Sequence, residues 1–168
     1  DGRTVIASAP GKAQGEIHFL FRSSTVAGTT LQTQATETMT DNDDNTSRLG
    51  ESLSISTDEN FVVAGAPYTN AVGADGSTRF IDSGLIKIYI WDPNTFKYGL
   101  LDTLISPTDG STLTENANFG WAHKISEPGT SSVRSTVDKY LFVSAPGHAS
   151  DTGRVYMYTW GVGADGST

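Results

Sequence analysis

Tyr140-Leu141-Phe142-Val143-Ser144-Ala145-Pro146, followed after a short loop by Gly153-Arg154-Val155-Tyr156-Met157-Tyr158-Thr159-Trp160, decides the fold because its pattern occurs three times. An apolar run ending in small-Ala-Pro also stands at Thr4-Val5-Ile6-Ala7-Ser8-Ala9-Pro10 and at Phe61-Val62-Val63-Ala64-Gly65-Ala66-Pro67. Each is followed by a glycine that opens an alternating segment: Gly15-Glu16-Ile17-His18-Phe19-Leu20-Phe21 and Gly84-Leu85-Ile86-Lys87-Ile88-Tyr89-Ile90-Trp91. The glycines at 15, 84 and 153 are 69 residues apart both times (84 − 15 and 153 − 84). A fixed period with the same residue types at each return marks a repeat architecture.

Two more segments complete the unit. Leu49-Gly50-Glu51-Ser52-Leu53-Ser54-Ile55-Ser56 and Phe119-Gly120-Trp121-Ala122-His123-Lys124-Ile125-Ser126 precede the second and third small-Ala-Pro runs and read as strands. After the alternating strand, an Asp92-Pro93-Asn94 turn leads to Gly99-Leu100-Leu101-Asp102-Thr103-Leu104-Ile105, with Thr30-Leu31-Gln32-Thr33-Gln34 as the weaker counterpart in the first unit. One unit is therefore four short strands joined by turns, the make-up of a propeller blade. Ile86, Ile88 and Ile90 point to one face of their strand and Lys87, Tyr89 and Trp91 to the other. Apolar residues on both faces are expected where neighbouring units cover both sides of a sheet.

Composition agrees. Only 18% of the 168 residues are charged, and 18 glycines interrupt nearly every stretch that could carry a helical period. The net charge of −8 argues against a nucleic-acid partner, whose phosphates need a basic face, and against anionic lipid. The absence of cysteine excludes disulfides and thiolate metal sites. No run approaches 18 apolar residues, so no membrane insertion is expected, and Asp1-Gly2-Arg3 does not open a signal peptide.

The order Phe119-Gly120, then Ser144-Ala145-Pro146, then Gly153-Arg154-Val155-Tyr156-Met157-Tyr158 resembles the FG-GAP repeat of integrin-α propellers and their bacterial and viral relatives. The middle unit, with Leu49-Gly50 and Gly65-Ala66-Pro67, is similar with Leu in place of Phe, and the resemblance covers nearly the whole chain. It implies an all-β fold: a β-propeller of four-stranded antiparallel blades, about three of them here, two incomplete. The approximate units are residues 1–47 (partial), 48–117 (full) and 118–168 (partial). The first lacks its opening strand and the third its closing strand. Both partial units hold strands two and three, so they duplicate one another, and a segment continuous with further blades is the simplest expectation. The alternatives are a three-unit chain that assembles into a larger ring, or an unrelated β-sandwich.

The loops differ between units. Pro10 to Gly15 spans 5 positions, Pro67 to Gly84 spans 17 and Pro146 to Gly153 spans 7, while the third unit lengthens its connection over residues 127–135. Such insertions on a constant scaffold are where binding surfaces sit. Residues 72–78 (Val-Gly-Ala-Asp-Gly-Ser-Thr) recur at 162–168, 90 positions on and out of step with the repeat, and read as turns.

No metal site is carried over from the resemblance. The loops Thr57-Asp58-Glu59-Asn60 and 127–139 lack the spaced carboxylates of a calcium loop, and Asp1-Gly2 shows only a possible tail of one. The densest acidic run is Asp41-Asn42-Asp43-Asp44-Asn45, whose adjacent carboxylates diverge unless the loop curls. His18 occupies the strand position of Lys87 and Tyr156 and reads as a tolerant surface or interface site, while His123 and His148 have no spaced partners of the kind that a triad or zinc site shows. Trp91, Trp121, Trp160, Tyr89 and Tyr158 could stack on sugars, although their recurrence favours packing. No catalytic, cofactor-binding or metal residue is assigned.

The functional expectation is a non-catalytic propeller in an extracellular, cell-surface or virion-surface protein, either adhesin-like or a fibre or tail component. It would bind a protein or glycan through its loops, or join other subunits of a larger assembly. The alternative is a hydrolase-type propeller enzyme with an axial active site.

Overall fold

The computed structural model describes residues 4–22, 31–38, 46–73, 76–107, 114–126 and 139–160. The acidic run at 41–45, the second copy of the seven-residue repeat at 162–168, the long connection over 127–138 and Asp1-Gly2 lie outside them.

The described chain is almost entirely strand. The first sheet holds β1 (Thr4–Ser8), β2 (Glu16–Arg22) and β3 (Leu31–Thr38), in that order. The middle sheet holds β4 (Ser52–Ile55), β5 (Phe61–Ala66), β8 (Leu85–Asp92) and β9 (Lys97–Ile105). Between β5 and β8, β6 (Ala71–Val72) and β7 (Arg79–Phe80) form a small hairpin of their own. The third sheet holds β10 (His123–Ser126), β11 (Lys139–Ala145) and β12 (Arg154–Trp160), with a single turn, α1 (His148–Asp151), whose Ala149, Ser150 and Asp151 have positive φ, between the last two. Every pairing between these strands is antiparallel. The middle unit thus contains the four strands expected of it, in sequence order, and the flanking sheets contain three each.

One expectation shifts. Leu49-Gly50 and Phe119-Gly120 do not begin strands. They form turns that lead into β4 and β10, which start at Ser52 and His123. Each pair instead reaches back to the preceding unit. The Leu49 N–H donates to the Gln14 carbonyl at 2.9 Å and the Phe119 N–H to the Ser83 carbonyl at 3.0 Å. The two acceptors are one period apart (83 − 14 = 69), and Phe119 makes a parallel bridge to Gly84.

That approach explains the glycines. Gly15 (φ +96) and Gly84 (φ +78) adopt the left-handed region, which costs any residue with a Cβ about 1–2 kcal/mol. A Cβ on Gly15 would also stand 2.3 Å from the Leu49 amide nitrogen, and one on Gly84 2.2 Å from the Phe119 carbonyl oxygen. The next unit seats itself where a side chain would be.

The sheets pack face to face. Ile17 and Phe19 of β2, Val62, Ala64 and Ala66 of β5, and Tyr89 of β8 share one core with Leu49 and Tyr98. Phe19 lies against the Tyr98 ring with centroids 4.9 Å apart and meets Tyr89 edge-on at 5.6 Å. On the opposite face of the middle sheet, Phe61, Val63, Ile86 and Ile88 form a second core with Phe119, Ile125, Leu141, Val143 and Ala145. Both faces of the middle sheet are therefore covered, each by a neighbouring unit, as the two-faced pattern of β8 required. Burying each large aliphatic or aromatic side chain contributes about 1.5–3 kcal/mol.

A β-bulge repeats with the sequence period. Ile88 faces Asp102 but Tyr89 faces Leu100, so Leu101 is an extra residue in β9. Phe19 faces Ala35 and Leu20 faces Thr33, which leaves Gln34 extra in β3. The slips lie one period apart (88 − 19 = 69). A bulge here bends the outermost strand and raises the local twist.

Candidate binding surface

The small residues of the small-Ala-Pro runs sit where one unit meets the next. Ser8 donates its hydroxyl proton to the Gly50 carbonyl at 2.8 Å. At the following junction the position of Ser8 is taken by Gly65, and its cross-strand neighbour Ser52 donates to the Gly120 carbonyl at 2.8 Å instead. A Cβ on Gly65 would lie 2.1 Å from that carbonyl oxygen and 2.3 Å from the Ser52 hydroxyl. One serine per junction satisfies the glycine carbonyl, and the residue opposite yields the space.

Beside these junctions lies a polar and aromatic platform. Arg48 places its guanidinium 5.4 Å from the centre of the Tyr68 ring, and the Tyr68 and Trp121 rings meet edge-on at 5.8 Å. Glu51 lies 3.6 Å from Arg48 Nε. Trp121 is 45% exposed although it follows Gly120 directly, so its indole stands at the surface and not in a core. An exposed indole and a half-buried phenol with a cation and a carboxylate alongside combine a stacking face with directional hydrogen bonding. Of the other aromatics considered for sugar stacking, Tyr89 is buried, Trp91 packs on the first core and Tyr158 on the second. The Trp160 side chain lies outside what the structure describes.

The histidines go to three different environments. His18 Nε2 lies 3.3 Å from Glu16, which also pairs with Lys12 at 2.9 Å. His148 is buried in α1, with Nδ1 3.3 Å from the Tyr156 hydroxyl. His123 reaches across from β10 to the middle sheet. Its Nδ1 lies 2.9 Å from the Ser54 hydroxyl and its Nε2 3.2 Å from the Ser52 carbonyl. With Nε2–H donating to that carbonyl, Nδ1 accepts from Ser54. Burial pushes the His123 pKa down to about 4, against the weaker pull of the Ser52 carbonyl. A serine beside an imidazole is the beginning of a nucleophile–base pair, but an imidazole this acidic is a weak base at neutral pH. The pair locks two units together.

The Thr57–Asn60 loop is organised around its own acid. Asp58 accepts from the Asn60 amide N–H at 3.1 Å, from the Asn60 side chain at 2.9 Å, and from Ser56. Lys139 of the next unit lies 2.7 Å from its Oδ2. Burial works to raise the Asp58 pKa, and the bonds from Lys139, Ser56 and Asn60 outweigh it, bringing it to about 2. The neighbouring Glu59 accepts from Thr4 of the first unit at 2.8 Å, and its carbonyl accepts from the Tyr98 hydroxyl. The loop is a tie to the units on both sides.

In the first copy of the seven-residue repeat, Val72 ends β6 and the Gly73 N–H bonds the Thr78 carbonyl at 2.7 Å, closing a hairpin as the turn reading expected. Among the described residues no three acidic or histidine side chains converge as a metal would require, and no helix is long and apolar enough to cross a membrane. No family model matches the chain, and comparison with curated proteins likewise finds no match.

Proposed function

We propose that this chain is part of a β-propeller of FG-GAP-type units and acts as a non-catalytic binding scaffold on an extracellular or virion surface, in an adhesin-like protein or a fibre or tail component. The observation that carries this reading is the middle sheet, covered on both faces by neighbouring units related by a 69-residue period (84 − 15 = 69). Sheets stacked in this way around an axis are the blades of a propeller, and their junctions present fixed side chains to solvent. Recognition of a glycan is assigned to the platform of Arg48, Glu51, Tyr68 and Trp121, where the exposed indole stacks on a sugar face and Arg48 and Glu51 bond its hydroxyls.

A glycan array probed with the chain tests this. The expected result is a defined set of bound sugars, lost in Trp121→Ala and retained in Phe96→Ala, which removes a different exposed aromatic. Binding that survives Trp121→Ala would move the site elsewhere. An array with no bound sugar would leave the scaffold as a protein-binding or purely architectural element.

A further inference from the structure

The three units offer the same positions in three settings. Ile17, Ile86 and Val155 are related by the 69-residue period (86 − 17 and 155 − 86), as are Phe19, Ile88 and Met157 (88 − 19 and 157 − 88). In the first two units these side chains are covered: Ile17, Ile86 and Phe19 are 0% exposed and Ile88 is 6%. In the third, Val155 is 66% and Met157 60% exposed, with Phe142 of β11 beside them at 38%. The face that units one and two press against their successors is, among the described residues of unit three, exposed.

The same holds for the glycine socket. Gly153 keeps the left-handed backbone (φ +70) of Gly15 and Gly84, yet the nearest atom to a Cβ built on it is the Pro146 carbonyl oxygen at 3.4 Å. At the earlier positions the successor's backbone lies at 2.3 and 2.2 Å. The carbonyl that receives the successor's N–H belongs to Gln14 and then to Ser83. One period further on it belongs to Thr152 (83 + 69 = 152).

We infer that the outer face of β11 and β12 is the docking site for one more unit of this repeat, entering with a large apolar residue followed by glycine. The two internal junctions define the occupant. Its apolar residue lies between the sheets as Leu49 and Phe119 do, its N–H donates to the Thr152 carbonyl, and its backbone fills the space beside Gly153. Its second strand then covers Val155 and Met157 with small and aliphatic side chains, as Leu141, Val143 and Ala145 cover Ile86 and Ile88. This inference rests on the stacked-unit reading proposed above.

The test appends a unit in phase. Trp91 and Trp160 are one period apart (160 − 91 = 69), so a second copy of residues 92–160 placed after Trp160 continues the repeat without a slip. The appended copy carries Met157→Leu, so that oxidation of the original Met157 by peroxide is read apart from the copy, and apart from Met39 in a separate peptide, by mass spectrometry. Covering the thioether slows its oxidation by about tenfold or more, since susceptibility follows exposure. The same chain unfolds at a higher urea concentration than the parent, and Gly153→Ala, mild in the parent, removes both gains.

Unchanged oxidation of Met157 in the extended chain, with the appended unit folded by circular dichroism, would overturn the inference. So would a parent chain that dimerises at micromolar concentration and protects Met157 in doing so, for the face would then belong to a second copy. Gly84→Ala in the parent separates the two levels. If it leaves the urea midpoint unchanged, the stacking itself is wrong; if it lowers the midpoint while Met157 stays open in the extended chain, only the docking assignment fails.

Discussion

The middle and third sheets are built from the same pattern and meet different fates. Both have a small-Ala-Pro strand, a positive-φ glycine and an alternating third strand. The middle sheet is buried on both faces, whereas the third is buried on one. Local sequence is nearly constant between them, so it does not set burial. The presence of a successor unit does. This is the behaviour of a quasi-one-dimensional array, in which each unit's stability is its own plus what its neighbours add.

The sharpest way to break the comparison is to place a methyl group on each glycine. Gly84→Ala adds the left-handed penalty and a Cβ driven into the Phe119 backbone, for a loss of about 3 kcal/mol or more. Gly153→Ala meets its nearest neighbour, the Pro146 carbonyl oxygen, at an ordinary 3.4 Å and costs only the backbone term, about 1–2 kcal/mol. Urea unfolding of the two variants side by side measures the difference, and equal losses would mean that no unit is seated on Gly84.

Side-chain truncation gives the next contrast. Ile86→Ala opens a cavity between the middle and third sheets and costs about 2–4 kcal/mol. Val155→Ala, at the equivalent position on the bare face, stays within about 0.5 kcal/mol of the parent. A smaller effect is expected from Ser52→Ala, which strips the Gly120 carbonyl of its partner at the junction and costs about 1–2 kcal/mol in thermal unfolding.

The smallest effect is a slope in pH. Because the His123 pKa is about 4 in the folded chain, below its ordinary 6.5, the unfolded chain takes up the proton first. Stability therefore falls as pH drops from about 6.5 to 4 and levels off below that. His123→Gln flattens the urea midpoint across this window. The Asp58 pKa is lowered as well and adds a slope of the same sign further down, its contribution lost only as pH falls from 3.8 towards 2. A variant with an unaltered slope would place His123 outside the junction.

Much of this architecture was readable from the chain. The three glycines announced the period, and the two-faced alternation of Ile86 to Trp91 announced neighbours on both sides, because apolar residues on both faces of a strand need two covers. The Leu49-Gly50 and Phe119-Gly120 pairs were recognised but misplaced as strand starts. Glycine next to a large residue looks the same whether it opens a strand or seats a unit on the one before. The Ser54–His123 pair was overlooked although the two residues are one period apart (123 − 54 = 69), the spacing of facing positions on adjacent opening strands. Nothing in the spacing announced the platform of Arg48, Tyr68 and Trp121. It joins a turn, a loop and the start of another turn, and only the stacking of units brings them together.

Solvent exposure of individual methyl groups tests the stacking most directly. With a soluble paramagnetic agent added to the methyl-labelled chain, face-to-face packing predicts that Ile17, Ile86 and Ile88 are shielded while Val155 and Met157 relax strongly. Equal relaxation at Ile86 and Val155 would contradict it, since the two positions differ only in having a neighbour.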